Sequence, residues 1–183
     1  MSKASKSKEA RLTAERVREL FHYDQDTGVF TRRVTRQGLK ARAGDIAGTR
    51  KPSGYLSIWI CGANFMVHRL AWLYVHGTWP EGQVDHINQV KADNRIANLR
   101  VATHAENMQN RKPYKTNSTG LRGVYRRKTQ PDHLFYAAIK VNRKTINLGA
   151  FRTAEEAHAA YCAAAARLHT HNPAANDSHR SAA

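Results

Sequence analysis

Four side chains within one short stretch have types and spacing that suit hydrolytic chemistry: Asp85, His86, Asn98 and Asn107. A histidine within reach of water can act as a general base, typically worth about 10²–10⁴-fold in rate. Asp85 offers a carboxylate and Asn107 an amide oxygen. Both are hard donors that suit Mg²⁺ (or Mn²⁺), one divalent ion per site, a cation that prefers oxygen and retains several waters. Asn98 follows His86 by 12 residues, and Asn107 follows Asn98 by nine. The Asn98 amide oxygen can accept a hydrogen bond from the imidazole N–H, fixing the ring and leaving its other nitrogen as the base. The residues between read as strand, turn and helix, so the four can converge. Neighbours on a strand point to opposite faces. A site using both Asp85 and His86 therefore needs a twist there, or a helix that reaches both.

The rest of the chain suggests what such a site would act on. Lys and Arg total 30 against 14 acids in 183 residues, a formal net charge of +16. Basic domains attract polyanions by counterion release, which points to nucleic acid. The charge is uneven: between Arg111 and Arg152 there are 11 basic residues and one acid, Asp132. No apolar run is long enough to cross a membrane, and the basic N-terminus lacks the apolar core of a signal peptide. The expectation is an intracellular, cytoplasmic protein. Cys61 and Cys162 are too few for a four-thiolate zinc knuckle or a disulfide framework, and read as buried, reduced thiols.

The elements around the site come from local signals. Thr13 is placed to cap a helix with Val17, Leu20 and Phe21 as its apolar stripe. Asp26-Thr27-Gly28 reads as a turn before a short strand, Val29 to Thr31. The run from Arg32 to Gly54 is loop-like, with an apolar break at Ile46-Ala47. Tyr55–Ile60 and Phe65–His68 flank a four-residue turn, Cys61 to Asn64, as a β-hairpin. A short helix with Leu70, Ala71, Leu73 and Tyr74 follows, stopped at His76-Gly77. A new unit begins at Val84, with a compact turn or short helix from Asn94 to Leu99. Thr103 and Glu106 have capping-box spacing for the helix that carries Asn107.

Residues 55–110 resemble the HNH endonucleases of phages and mobile introns. The resemblance rests on Val67-His68-Arg69-Leu70-Ala71-Trp72, Val84-Asp85-His86-Ile87-Asn88, Asp93-Asn94-Arg95, Asn98-Leu99-Arg100 and Glu106-Asn107-Met108-Gln109-Asn110. It implies a ββα-metal site with Asp85 and Asn107 as metal ligands, His86 as general base and Asn98 as the residue orienting it. The third signature position is Asn107 where many members have histidine, as in the His-Asn-Asn branch. The structural zinc cysteines of many relatives are missing. His68 reads either as a phosphate contact or as a packed structural histidine.

A second rhythm follows a polar, proline-broken segment at 111–119. Strands are expected at Gly123–Arg127, Phe135–Val141 and Thr145–Gly149, with Phe135, Ala137, Ile139 and Val141 on one face. Thr153 and Glu156 form a capping box for an alanine-rich helix with Ala157, Ala160, Tyr161, Ala164 and Leu168 on one face. Residues 117–170 resemble the Apetala/ethylene-response-factor DNA-binding domain, through Arg122-Gly123-Val124, Leu148-Gly149-Ala150-Phe151 and Thr153-Ala154-Glu155-Glu156-Ala157. The resemblance implies a sheet in the major groove, with Arg122, Tyr125, Arg127, Tyr136, Lys140, Arg143, Thr145 and Asn147 facing out. Tyr125, Lys140, Thr145 and Asn147 depart from the plant pattern, so the plant target does not transfer. Arg126-Arg127-Lys128 also reads as a solvated charged turn.

The expected class is α+β: a ββα-metal HNH module followed by a three-stranded antiparallel sheet on one helix. The expected segments are a disordered basic tail (1–12), the nuclease module (13–110, core motif 67–110), a linker (111–119), the DNA-binding domain (120–170) and a disordered tail (171–183). The expected activity is metal-dependent cleavage of double-stranded DNA, with a homodimer possible if both strands are cut. Two alternatives stay open: a non-catalytic DNA-binding regulator on an HNH scaffold, and an HNH nuclease of phage DNA packaging.

Overall fold

A computed structural model describes residues 8–35, 41–110, 117–127 and 134–170. The expected tail at 171–183, residues 1–7, linker residues 111–116 and Lys128 lie outside the described residues. The chain mixes helices with small antiparallel sheets and divides into two compact units, Met1–His104 and Ala105–Ala183. No helix among the described residues is long and apolar enough to cross a membrane.

In the first unit, helix α1 (Ala14–Leu20) starts where Thr13 Oγ1 accepts from Arg16 N at 3.3 Å. It ends at Phe21, which opens strand β1 (Phe21–Tyr23) instead of extending the helical stripe. β1, β2 (Phe30–Arg32) and β3 (Ile46–Ala47) form one antiparallel sheet. β4 (Thr49–Arg50), β5 (Leu56–Ile60) and β6 (Ala63–Met66) form another. The segment expected as loop thus carries two short strands.

The β5–β6 register pairs Ile60 with Ala63, so the turn is two residues, Cys61-Gly62, and not four. Both have positive φ (46° and 80°), the left-handed pair that matches the twist of a tight hairpin. That position exposes Cys61, contrary to the buried thiol expected; Cys162 is half-buried, and both are free. Val67 and His68 are not strand residues. They open helix α2 (Val67–His76), which Gly77 ends in a left-handed cap.

Val17, Phe30, Ile58, Ile60, Leu70 and Leu73 fill the core under these elements. Residues 8–12, read as part of a loose tail, are packed into it. Leu12 is buried, Arg69 Nε donates to Glu9 Oε1 at 2.8 Å, and Trp79 Nε1 donates to the Glu9 carbonyl at 2.8 Å. Strand β7 (Gln83–His86) pairs antiparallel with β8 (Leu99–Ala102), a strand the sequence reading missed. A 3₁₀ turn at Ile96–Asn98 leads into β8, and helix α3 (His104–Gln109) follows it. Strand, strand and helix thus follow one another along the chain; the chain passes into the second unit within α3.

The second unit's sheet is β9 (Val124–Tyr125), β10 (Phe135–Val141) and β11 (Lys144–Phe151), with β10 central. A bulge falls between Ala137 and Ala138, where the register steps from Gly149 to Asn147. Helix α4 (Ala154–Leu168) opens with the expected capping box, Glu156 N donating to Thr153 Oγ1 at 3.1 Å and Thr153 N to Glu156 Oε2 at 3.3 Å. It buries Ala157, Tyr161 and Ala165 against Val124, Ala137 and Ile139. Leu168, expected on that face, is exposed, and Ala165 takes the buried position one turn after Tyr161.

Candidate active site

Asp85 and His86 end strand β7 and are both buried, at 7% and 4% exposure. Their side chains go separate ways, as alternation requires. Asp85 pairs across the ladder with Arg100, whose Nε and Nη2 donate to Oδ2 at 3.1 and 2.9 Å. His86 pairs in register with Leu99, and its ring joins a cluster with Tyr55 and His68. The His68–His86 ring centroids are 5.2 Å apart, Tyr55–His68 5.3 Å and Tyr55–His86 5.8 Å. Lys91 Nζ lies 4.9 Å from the Tyr55 ring centroid.

The loop from Ile87 to Asn98 holds the imidazole, but not as the sequence reading expected. His86 Nε2 lies 3.2 Å from Asn94 Oδ1. Asn94 Nδ2 donates to the Ala92 carbonyl at 3.0 Å, which marks the other amide atom as the oxygen. Nε2 is therefore the protonated nitrogen, and the lone pair lies on Nδ1. Asn98 was expected in this role. Its Oδ1 instead accepts from Asn88 N at 3.0 Å, and its Nδ2 donates to Asn88 Oδ1 at 2.9 Å and to the Asp93 carbonyl at 2.8 Å. Asn98 braces the loop, while Asn94 orients the ring. The reason is geometric: a buried amide at the base of β8 faces open backbone groups of the loop, and those cost free energy if left unpaired.

Asn94 is itself fixed from outside the loop. Tyr23 Oη donates to its carbonyl at 2.6 Å, and Ile96 N donates to the Gln25 carbonyl at 3.3 Å. Gly28, at φ +73°, lies so close that a Cβ there would come within 2.4 Å of Arg95 N and 2.5 Å of the Asn94 carbonyl carbon. Asp93 closes the loop: Asn88 Nδ2 and Arg95 Nη2 donate to its Oδ2 at 2.6 and 2.7 Å. The Arg95 side chain, foremost, holds the Asp93 carboxyl below its usual range.

Burial lowers the pKa of His86, and the Asn94 hydrogen bond and the Asp85 charge partly offset it. The ring is thus neutral, the form a general base requires. Burial drives His68 further, to about 3, with His86 and Arg69 adding to the effect. His68 is 7% exposed and its Nδ1 has no hydrogen-bond partner among the described residues, which favours the packed histidine of the two readings.

Residues 65–109 match the family model of the HNH endonucleases. The match covers α2, the β7–β8 pair with the His86 loop, and the helix bearing Asn107, and it supports an HNH endonuclease. No curated protein and no solved structure matches the chain.

A divalent cation is what the HNH segment leads one to look for. Among the described residues no group of three or more His, Cys, Asp or Glu side chains gathers to hold one. One buried carboxylate does fit: Asp85 already sits against positive charge, with the Arg100 guanidinium as its counter-ion. A lone carboxylate suits Mg²⁺, which keeps its waters, and not a closed zinc site. Asn107 lies on α3, half-buried, beyond the division between the units.

In the second unit, the cross-strand register puts Tyr125, Tyr136, Lys140, Thr145 and Asn147 on the sheet face away from α4. Lys140, Thr145 and Asn147 are exposed, as is Arg143 in the Asn142-Arg143 turn. Tyr136 shares that face but is buried, stacked on Tyr125 at 5.8 Å, with the Arg127 guanidinium 4.3 Å from its ring centroid. Arg122 leaves the face: its Nη2 donates to the Met108 carbonyl at 2.6 Å, and its guanidinium lies 6.0 Å from the Tyr161 ring centroid. A guanidinium at a helix C-terminus satisfies one of the carbonyls left open there.

Three contributors escaped the sequence reading: Asn94, Arg100 and Tyr55. Recognising β7–β8 as a hairpin would have found Arg100, because it stands directly opposite Asp85. Asn94 and Tyr55 have no comparable signal in spacing.

Proposed function

We propose that the chain is a metal-dependent DNA endonuclease of the homing or phage HNH type, with His86 as general base. The observation that carries this reading is buried His86, with Nε2 3.2 Å from Asn94 Oδ1, next in sequence to buried Asp85 within the segment that has the HNH match. His86 Nδ1 takes the proton from the attacking water as the new P–O bond forms. The bond to the leaving oxygen then breaks, and that oxygen departs with the electron pair. Asn94 keeps the ring in the productive tautomer, and Asn98 keeps the loop closed around it. Asp85 would hold one Mg²⁺ or Mn²⁺, which would neutralise charge on the phosphate and the departing oxygen, and Asn107 is the second ligand that the HNH resemblance implies.

The exposed face of β9–β11 is the proposed contact for duplex DNA. Arg127, Lys140, Arg143, Thr145 and Asn147 supply phosphate and base contacts there, in the groove-binding mode of Apetala-type domains. One active site per chain cuts one strand per engagement, so a double-strand break needs two copies or two successive nicks.

Supercoiled plasmid tests the reading. Nicking or linearisation in Mg²⁺, stopped by EDTA and by His86→Ala, is the expected result. Retardation of DNA without cleavage under any divalent ion would favour the non-catalytic regulator instead.

A further inference from the structure

Asp85 has a positively charged partner of its own in Arg100. Arg100 stands opposite it in the β7–β8 register and directs two donors onto one oxygen, Oδ2. The two partners differ in access: the Asp85 side chain is 8% exposed and that of Arg100 21%. A buried carboxylate without a counter-charge is strongly destabilising, so Arg100 has a clear role in the metal-free protein. A divalent ion on the same carboxylate takes over that role and repels the guanidinium. The fork of an arginine suits phosphate as well as carboxylate, and a partly exposed side chain has room to turn.

We propose that Arg100 is a metal-released phosphate ligand: it neutralises Asp85 in the metal-free protein and passes to a DNA phosphate when a divalent cation takes the carboxylate. This inference rests on the endonuclease reading and adds to it a switch that couples metal to substrate. DNA that accepts Arg100 eases its departure from Asp85, so DNA tightens metal binding. By linkage, metal tightens DNA binding by the same factor. Metal alone competes with the ion pair and binds weakly.

The test measures Mn²⁺ binding to the full chain by the paramagnetic resonance signal of the free ion, without and with a short duplex. The with-duplex arm is run in a His86→Ala background so that the DNA stays intact. Without DNA, Arg100→Gln is expected to bind Mn²⁺ about tenfold more tightly than the wild type, a size common for close charge pairs. Arg100→Lys should fall between the two, because an ammonium keeps the charge but lacks the rigid fork that fixes arginine on the carboxylate. With DNA, the tightening of Mn²⁺ seen with Arg100 present should shrink in Arg100→Gln. Should metal-free Arg100→Gln fail to fold by circular dichroism, Arg100→Lys decides: Mn²⁺ binding a few-fold tighter than wild type supports the switch. Mn²⁺ affinity no tighter than wild type in the folded variant overturns it. Mg²⁺-dependent nicking by the wild type, run alongside, tests the endonuclease reading separately. Nicking with unchanged Mn²⁺ affinity in the variant removes the switch alone, and no nicking removes the reading beneath it.

Discussion

The two polar surfaces of this protein are built on opposite plans. In the first unit Asp85, His86, Asn94 and Asn98 are all buried, and each side chain makes a specific hydrogen bond or ion pair. In the second, Lys140, Arg143, Thr145 and Asn147 are exposed on a sheet whose geometry comes from the apolar packing of α4 beneath it. On the proposed function, the groups that move a proton are held by a network that fixes ring and tautomer together. The groups proposed to contact a polyanion need only be carried on a firm platform, because Coulombic attraction is tolerant of position. Substitutions in the first region should therefore be costly and non-additive, and those in the second mild and nearly additive.

The largest effect is expected from His86→Ala. Cleavage should fall by about 10²-fold or more while DNA retardation is unchanged, since the loss belongs to the proton-transfer step. Activity within about threefold of wild type would remove His86 from the chemistry and erase the contrast between the regions.

Asn94→Ala and Asn98→Ala separate orientation from bracing. Asn94→Ala removes the acceptor at 3.2 Å from Nε2 and should lower kcat by about tenfold or more. Asn98→Ala leaves the ring's partner in place but strips the loop of three hydrogen bonds. It should lower stability by about 1–3 kcal/mol, and its kcat loss should be the smaller of the two. The reverse order of kcat effects would restore Asn98 to the orienting role.

A pH series probes the first region through stability. The folded-state pKa of His68 is about 3, below the ordinary 6.5 that applies when the chain unfolds. Between those values the unfolded chain binds the extra proton. Stability contributed by neutral His68 is thus present above about 6.5 and is lost as pH falls toward 3, at up to about 1.4 kcal/mol per pH unit. His86 is shifted in the same direction. Urea midpoints from pH 7 to pH 5 should fall accordingly, and His68→Phe should flatten that slope. An unchanged slope in the variant would show that His68 titrates normally.

The smallest effects belong to the exposed face. Lys140→Ala should weaken duplex binding a few-fold, evenly across sequences, and reduce the salt slope by about 0.9 if one phosphate contact is lost. Arg127→Ala should relax sequence preference if the guanidinium reads a base, although its stacking on Tyr136 also makes it a packing group. Filter binding against a random duplex library distinguishes the two outcomes.

Legibility followed the range of the interactions. Thr13 and Thr153 start their helices because capping is local, and β10 was readable because its apolar side chains alternate. The pair Asp85-His86 was readable from residue type, and burial of both followed. The partners were not. Asn98 has the right chemistry to orient the ring, and only the path of the loop assigns that position to Asn94. Arg122 has the composition of a groove contact, and only the fold turns it onto the Met108 carbonyl. The Cys61-Gly62 turn escaped because two positive-φ residues, one of them a cysteine, resemble no common turn dipeptide.

The contact at Gly28 bears on how far the segment with the HNH match can be transplanted. The segment with the HNH match begins at residue 65, yet the backbone from Asn94 to Ile96 rests on a glycine, a tyrosine hydroxyl and a carbonyl supplied by residues 23–28. A graft of residues 65–109 into a foreign host would arrive without the surface on which the Ile87–Asn98 loop is moulded. A portable unit must include the N-terminal hairpin, and in any randomised library position 28 has to remain glycine.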